Sequence, residues 1–376
     1  ILFFILGIYN KKKVLSYVVN HDLLLSTLAE KFNKSIIDSS KYCVRALILN
    51  KYSSFNIKIF FLRRSIYSVY KSFSKIGIEQ PNKSFINFIL YYSVVNLGSI
   101  YVYFNYRKCN RYYLKYENLT LNTFDEFVNI REKFKFDIKE LLKLFYNQQK
   151  LKTGLIFEGN RIRLNSEIDF NLQKSSPVRH FGINFNTLCS NDIFFCNRSF
   201  NHIATVNAEF IVKARKSKQF DDLLSKCSCT IDGQLPFLII KLFNLSKPIF
   251  KISGSSLVFT FAEYCRVFNK KIFLLGSSEQ TNSLAVEKLV KKYGISVEGY
   301  SPEFESLPFR KDNNDIILKR ISKFKPDVLF VGFGCGKQEF WINENRSILI
   351  DSGIKYAVGC GGSFDFVAGK TKRAPK

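Results

Sequence analysis

The sequence predicts an α/β protein of two domains, each a mainly parallel sheet flanked by helices. Three observations carry that expectation. The chain has 376 residues, 46% hydrophobic and 23% charged, which exceeds one ordinary domain and supplies enough apolar surface for packed cores. The weakly hydrophobic stretch NRIRLNSEIDFNLQKSSPVRH, Asn160 to His180, divides it, and its QKSSP is turn and linker chemistry. Beyond that stretch, short apolar runs each lead into a longer amphipathic pattern, which is the rhythm of βαβ units. The expected domains are residues 1–173 and 174–376.

In chain order, the opening ILFFILGIYN is too short to span a bilayer and lacks the leading charges of a signal peptide. Helical patterns then surround short apolar runs such as KIFFL, Lys58 to Leu62. The run FINFILYYSVVNLGSIYVYF, Phe85 to Phe104, is nearly long enough for a span. It holds Asn87, Asn96 and Gly98, and its tyrosines are dispersed rather than belted at the ends, so a buried core helix is expected. After the linker, HIATV precedes a helical NAEFIVKARKSKQFDDLLSKC, and KIFLLG precedes SSEQTNSLAVEKLVKKYG. DVLFVGFG precedes KQEFWINENRSILIDSG, and KYAVGCGG follows. No internal repeat or low-complexity segment interrupts this order.

The net charge of +26 favours anionic partners: nucleotide donors, nucleic acid or an acidic membrane face. A chain crowded with Lys, Asn, Ile, Phe and Tyr also fits compositional drift, and charge alone says nothing of fold. Nucleic acid is disfavoured, because no stacking platform or groove-reading motif accompanies the charge. The nine cysteines are scattered singly without a CxxC pair, which points to reduced, mostly buried thiols in a cytoplasmic protein. Three histidines with no HxxxH or HExxH spacing argue against zinc catalysis. There is no methionine and the chain opens at Ile1, so a start further upstream is expected.

In parallel sheets, ligands bind beyond the carboxyl ends of the strands, so the residues just after each run are the ones to read. Thr205 and Asn207 follow HIA; Asp232 and Gly233 follow CSCTI; Gly276 follows KIFLL. Gly332, Gly334 and Gly336 follow DVLFV, with Lys337, Gln338 and Glu339 next. Gly359, Gly361 and Gly362 follow KYAV, then Asp365 and Arg373. Glycines there let a backbone approach a ligand and leave amides free at helix starts, where phosphate is stabilised. Taken singly, each is equally a turn or packing glycine. Likewise Asp232 could cap the turn before Leu235, Glu339 could be a first-turn helix acid, and Arg373 a solvated charge.

Together TVNAEF, TIDG, IFLLGS, PDVLFVGFGCGKQEFWI and GCGGSFDFVAGKTKRAPK resemble the WecG/TagA/CpsF family of bacterial glycosyltransferases, from about Val178 to Lys376. The resemblance implies a Rossmann-like half and an inverting, metal-independent transfer of N-acetylmannosamine or a related sugar. The donor would be a UDP-sugar and the acceptor N-acetylglucosamine on a polyprenyl diphosphate. In that reading Asp232 is the base, matching the acid of the family's DG motif, and Thr205 and Asn207 orient sugar hydroxyls. Gly276, Gly334 and Gly361 offer backbone to the donor, Gln338 and Glu339 fix nucleotide or sugar, Asp365 holds the donor or a nearby loop, and Arg373 meets phosphate. Gly336 stands where the family usually has Pro, and the family continues past RAP with an arginine-bearing tail, so truncation at Lys376 is expected.

In the first half, KIFFLRRSIYSVYKSF puts Arg64 after a strand and Ser72 two helical turns on, a cation and a hydroxyl suited to a phosphate. An ordinary basic helix explains the same spacing. With IIDSSKYCVRAL, YYLKYENLT and FEGNRIR, it resembles the sulfotransferase family that uses 3′-phosphoadenosine-5′-phosphosulfate, over roughly Ile1 to Gln173. By that resemblance Arg64 and Ser72 hold the donor's 3′-phosphate, Arg161 and Arg163 close over the nucleotide, and Asp38, Ser39, Ser40 and Lys41 sit near the acceptor. The family's opening glycine-rich basic loop has no counterpart in this sequence.

The leading expectation is a cytoplasmic enzyme, peripheral at the inner face of the cell membrane, joining a sulfotransferase-like half to a lipid-linked sugar transferase of surface-polysaccharide synthesis. Sulfate transfer as the main activity, and a non-catalytic basic protein docked on membrane or glycan, are the alternatives. Homo-oligomerisation is left open.

Overall fold

The computed structural model describes residues 10–32, 43–73, 84–135, 139, 142–143, 151–152, 167–168, 174–196, 198–245, 247–303, 306 and 308–371. The protein is a mixed α/β chain with parallel sheets flanked by helices. It divides into two compact units: Ile1–Leu119 with Ile130–Phe136, and Thr120–Asn129 with Asp137–Lys376. The linker-like stretch expected to part the domains lies largely outside the described residues.

The first unit contains α1 (Lys11–Phe32), α2 (Cys43–Tyr52), β1 (Ile59–Arg63), α3 (Ile66–Phe73), α4 (Phe85–Asn105) and β2 (Arg111–Lys115). The two strands pair in parallel, with Ile59 opposite Arg111 and Arg63 opposite Lys115. Leu47, Val102 and Tyr106 form a small core, and the buried Tyr106 hydroxyl donates to the Ala46 carbonyl at 2.8 Å. The structure departs from the expected buried core helix at α4. Only Phe88, Gly98 and Val102 are buried along it, while Ile86, Leu90, Val94, Leu97 and Phe104 are each more than half exposed. A two-stranded sheet covers one stripe of such a helix and leaves the other apolar stripe uncovered. By length and composition, α4 could cross a membrane.

Two further helices, α5 (Tyr116–Leu121) and α6 (Thr123–Phe134), contribute residues to both units. The second unit then adds two small antiparallel pairs: β3 (Leu151–Lys152) with β4 (Glu167–Ile168), and β5 (Val178–His180) with β6 (Ile183–Phe185). A short α7 (Ser190–Phe194) holds segment 120–129 in this unit: the Ser190 amide donates to Asn122, and the Asn191 side chain donates to the Thr120 carbonyl.

Next come β7 (Asn201–Val206), α8 (Ala208–Lys216), α9 (Lys218–Ser225), β8 (Ser228–Ile231), α10 (Gln234–Leu242) and α11 (Gly254–Phe268). They are followed by β9 (Ile272–Gly276), α12 (Glu279–Tyr293), β10 (Val297–Tyr300), α13 (Lys311–Phe324) and β11 (Val328–Gly332). The last elements are α14 (Lys337–Glu344), α15 (Arg346–Asp351), β12 (Tyr356–Gly359) and α16 (Ser363–Ala368). Strands β7 to β12 form one six-stranded sheet in the order β10-β9-β11-β12-β7-β8, parallel throughout.

Strands β7, β8, β9 and β12 are buried along their whole length, and β9 and β12 accordingly read as continuous apolar runs, while β7 and β8 bury Asn201, His202, Thr205, Ser228 and Thr230 among their apolar residues. The edge strand β10, VEGY, is half-buried and carries no such run. Two stretches that read as single helices are each broken in two. Ser217 caps α9 by accepting from the Phe220 amide, and Asn345 ends α14 and opens α15. All the strands being parallel, their carboxyl ends lie along one edge, and the candidate site is built there.

Candidate active site

Asp232 directly follows β8, and its backbone amide extends the ladder by donating to the Val206 carbonyl at 2.8 Å. The side chain is half-buried. Its Oδ1 accepts from the Gly233 amide at 2.7 Å, and its Oδ2 accepts from the Gly254 amide at 3.2 Å. Gly254 is the first residue of α11, with Ser253 capping that helix through the Ser256 amide. The carboxylate is therefore oriented by two backbone donors, one of them at the positive end of a 15-residue helix.

Gly254 also links Asp232 to the end of β12. A Cβ added at Gly254 would lie 2.7 Å from Ser363 Oγ and 3.2 Å from Cys360 Cα, so only glycine permits this approach. Cys360 precedes the Gly361 turn. Its buried thiol is pushed well up, first by desolvation and then by the charges of Glu339 and Asp232, which both act on it. From Gly361 the close packing continues across the sheet. A Cβ at Gly332 would meet the Gly361 carbonyl oxygen at 3.0 Å, and one at Gly276 would meet the Gly332 oxygen at 2.9 Å. The tips of β8, β12, β11 and β9 thus form one contiguous run. At Gly334 and Gly361 an added Cβ would touch nothing within 4 Å.

Gln338 and Glu339 lie beneath these turns, 1% and 0% exposed. Gln338 Oε1 accepts from the Gly361 amide at 3.0 Å, and its Nε2 donates to Glu339 Oε1 at 2.8 Å. Glu339 Oε2 accepts from the Gly336 amide at 2.7 Å. Burial lifts the Glu339 carboxyl to about 7, against the opposing pull of these hydrogen bonds and of Lys213. Lys213, on α8, donates to the Cys335 carbonyl at 3.0 Å and so fastens the same turn from the other side.

Thr205 is buried at the end of β7, where its hydroxyl donates to the Gly359 carbonyl at 2.8 Å. Asn207 caps α8 through the Phe210 amide. Asp365 is half-buried on α16 and accepts from Thr281 Oγ1 at 3.4 Å. Lys370 donates to that threonine and to Gln280, at 2.8 and 2.9 Å. The sequence reading missed Gly254, Lys213 and Lys370. A helix-start signature, Ser253-Gly254-Ser255-Ser256, was the available sign of the first.

Arg161, Arg163 and Arg373 lie outside the described residues. In the first unit, Ser72 falls on α3, and the Arg64 guanidinium stands 4.6 Å from the centroid of the Tyr116 ring. Two surface hollows, of about 510 and 270 Å³, are lined by α8 residues such as Lys213 and Lys216, and by α12 residues such as Lys288 and Lys292. Neither is lined by Asp232 or by the 334 and 361 turns.

The profile of the glycosyl transferase WecG/TagA/CpsF family matches residues 181–376, which include the whole six-stranded sheet and every strand-tip residue above. The chain belongs to that family. It is similar to the N-acetylglucosaminyldiphosphoundecaprenol N-acetyl-beta-D-mannosaminyltransferases of Staphylococcus aureus strains MRSA252 and COL. Each is 31% identical over 188 residues, covering 48% of this chain and 69% of the relative. The WecG/TagA/CpsF match and these relatives concern the second half, and the sulfotransferase-like reading of the first half draws no support from them.

Proposed function

We propose that this member of the WecG/TagA/CpsF family transfers N-acetylmannosamine or a related sugar from a UDP donor, with inversion, to N-acetylglucosamine on a polyprenyl diphosphate, at the inner face of the cell membrane. One observation carries the reading: the Asp232 carboxylate stands on a strand tip, held by the Gly254 amide of a helix packed against the Cys360–Ser363 turn. That brings a carboxylate to the edge where α/β sheets take nucleotides.

In this reading Asp232 takes the proton of the acceptor hydroxyl as its oxygen attacks the donor's anomeric carbon. The bond from that carbon to the diphosphate breaks on the opposite face, and UDP departs with the charge. Backbone at Gly276, Gly334 and Gly361 faces the donor, and Arg373 meets its phosphates. Thr205, Gln338 and Glu339 are buried, so their part is to hold the turns in place; Asn207 and Asp365, half-buried, are left to face sugar and donor. Sulfate transfer by the first half, through Arg64, Ser72, Arg161 and Arg163, is the second reading and rests on the sequence resemblance alone.

Thermal melts separate these readings. Saturating UDP is expected to raise the midpoint of the full chain, a stabilisation of roughly 3 kcal/mol at one hundred times the dissociation constant. A rise with adenosine 3′,5′-bisphosphate alone would favour sulfate transfer. No rise with either would leave the non-catalytic basic protein.

A further inference from the structure

The helix immediately after Asp232 carries an apolar face that the core does not cover. On α10, Leu235, Leu238 and Leu242 fall at i, i+3 and i+7, one side of the helix, and are 65%, 52% and 66% exposed. The opposite side, at Pro236 and Ile240, is buried. Phe243 and Leu245 continue the exposed face at 72% and 79%. Five large apolar side chains thus stand in solvent within eleven residues, starting three positions from the carboxylate. Scattered exposed leucines need no explanation, but a contiguous row on one helix face marks an interaction surface.

The charge around the row says what kind. Residues 233–262 contain Lys241, Lys247 and Lys251 and no aspartate or glutamate. All three lysines are exposed: Lys241 lies 5.4 Å from the Phe237 ring centroid, Lys247 reaches the Pro177 carbonyl, and Lys251 donates to Gln234 at the start of α10. An apolar row rimmed by cations with long stems is the pattern of a helix lying in a lipid interface, its leucines at the acyl boundary and its ammonium groups among anionic headgroups.

We infer that the exposed side of α10, with Phe243, Leu245, Lys247 and Lys251, forms the membrane-docking face of this unit, and that it docks on a bilayer with anionic headgroups. This rests on the proposed lipid-linked acceptor, and it deepens that proposal. A diphosphate-linked sugar rising from the bilayer beside α10 would meet Asp232 without leaving the interface.

The test uses the full chain carrying Leu238→Trp, with Leu245→Trp as a second position should the first fail to fold. Background emission is small in its response, since the single native tryptophan, Trp341, is 1% exposed. With equimolar phosphatidylglycerol–phosphatidylcholine vesicles, the new tryptophan is expected to shift to the blue, and brominated acyl chains are expected to quench it at least about twofold, as insertion of an apolar face demands. Quenching at neither position overturns the inference. So does a blue shift that grows with protein concentration in the absence of lipid, which would assign the face to a second copy. Equal quenching on phosphatidylcholine alone overturns the role of the lysines. UDP melts on the same samples separate this outcome from failure of the transferase reading: a missing UDP shift sinks the latter and leaves the fluorescence result standing.

Discussion

Glu339, singled out in the sequence for ligand binding, is buried beneath the glycine turns. Its carboxyl has no exposed surface, accepts from the Gly336 amide and the Gln338 side chain, and a Cβ at Gly359 would collide with its Oε1. The motif was legible in the sequence; the burial was not, because an acid in a helix first turn reads equally as ligand contact or dipole partner. Asp232 is the contrast. Its place after a strand could be read directly, whereas its second donor, Gly254, lies 22 positions away and is brought in by the helix on the neighbouring layer. The Glu339 environment has a pH consequence. Its folded pKa of about 7 stands above the unfolded value of 4.5, so the carboxylate binds its proton more tightly in the folded state. The stabilisation is whole below about pH 4.5 and is lost as pH rises through 7, by at most about 3 kcal/mol. Asp125, raised by burial to about 6, acts in the same direction. Melting midpoints of Glu339→Gln between pH 5 and 8 are therefore expected to fall less steeply than those of the wild type. Parallel slopes would show that Glu339 does not titrate in this range.

At the scale of elements, the buried apolar strands announced themselves and the half-exposed β10 did not. β9 and β12 are sealed on both faces and read as apolar runs, whereas β10 lies at one edge of the sheet, half-exposed; β7 and β8 are equally buried, although Asn201, His202, Thr205, Ser228 and Thr230 interrupt their apolar residues. Helix breaks at Ser217 and Asn345 were hidden for a different reason: both residues are common inside longer amphipathic patterns, and only the cap geometry tells them apart. The misjudged element was α4, read as core from its polar interruptions and found with seven large side chains more than half exposed. The turn after β9 gives a sharp test. Gly276 has a φ of +102°, and a Cβ there would lie 2.9 Å from the Gly332 carbonyl oxygen. Gly276→Ala is expected to cost roughly 1–3 kcal/mol of stability, read as a lowered urea midpoint, from backbone strain and that contact together. An unchanged midpoint would mean that the strand tips are not packed as described.

For the whole molecule, the net charge of +26 accords with the anionic nucleotide and the anionic lipid surface proposed above. The fold of the second half was legible because βαβ rhythm and family motifs coincide there. The division into units was not, since segment 120–129 joins the second unit through side-chain amides on Asn122 and Asn191 that no composition shift marks. Everything proposed for the second half depends on Asp232 acting as the base of sugar transfer at the strand tips. The direct measurement is the rate of N-acetylmannosamine transfer from its UDP donor to a short-chain polyprenyl-diphosphate N-acetylglucosamine, by the full chain and by Asp232→Asn, with UDP stabilisation recorded for both. Turnover by the wild type is expected, with a rate lower by about 10²–10⁴-fold in the variant and an equal UDP-induced rise in melting midpoint. Transfer by the variant at the wild-type rate would contradict that role for Asp232.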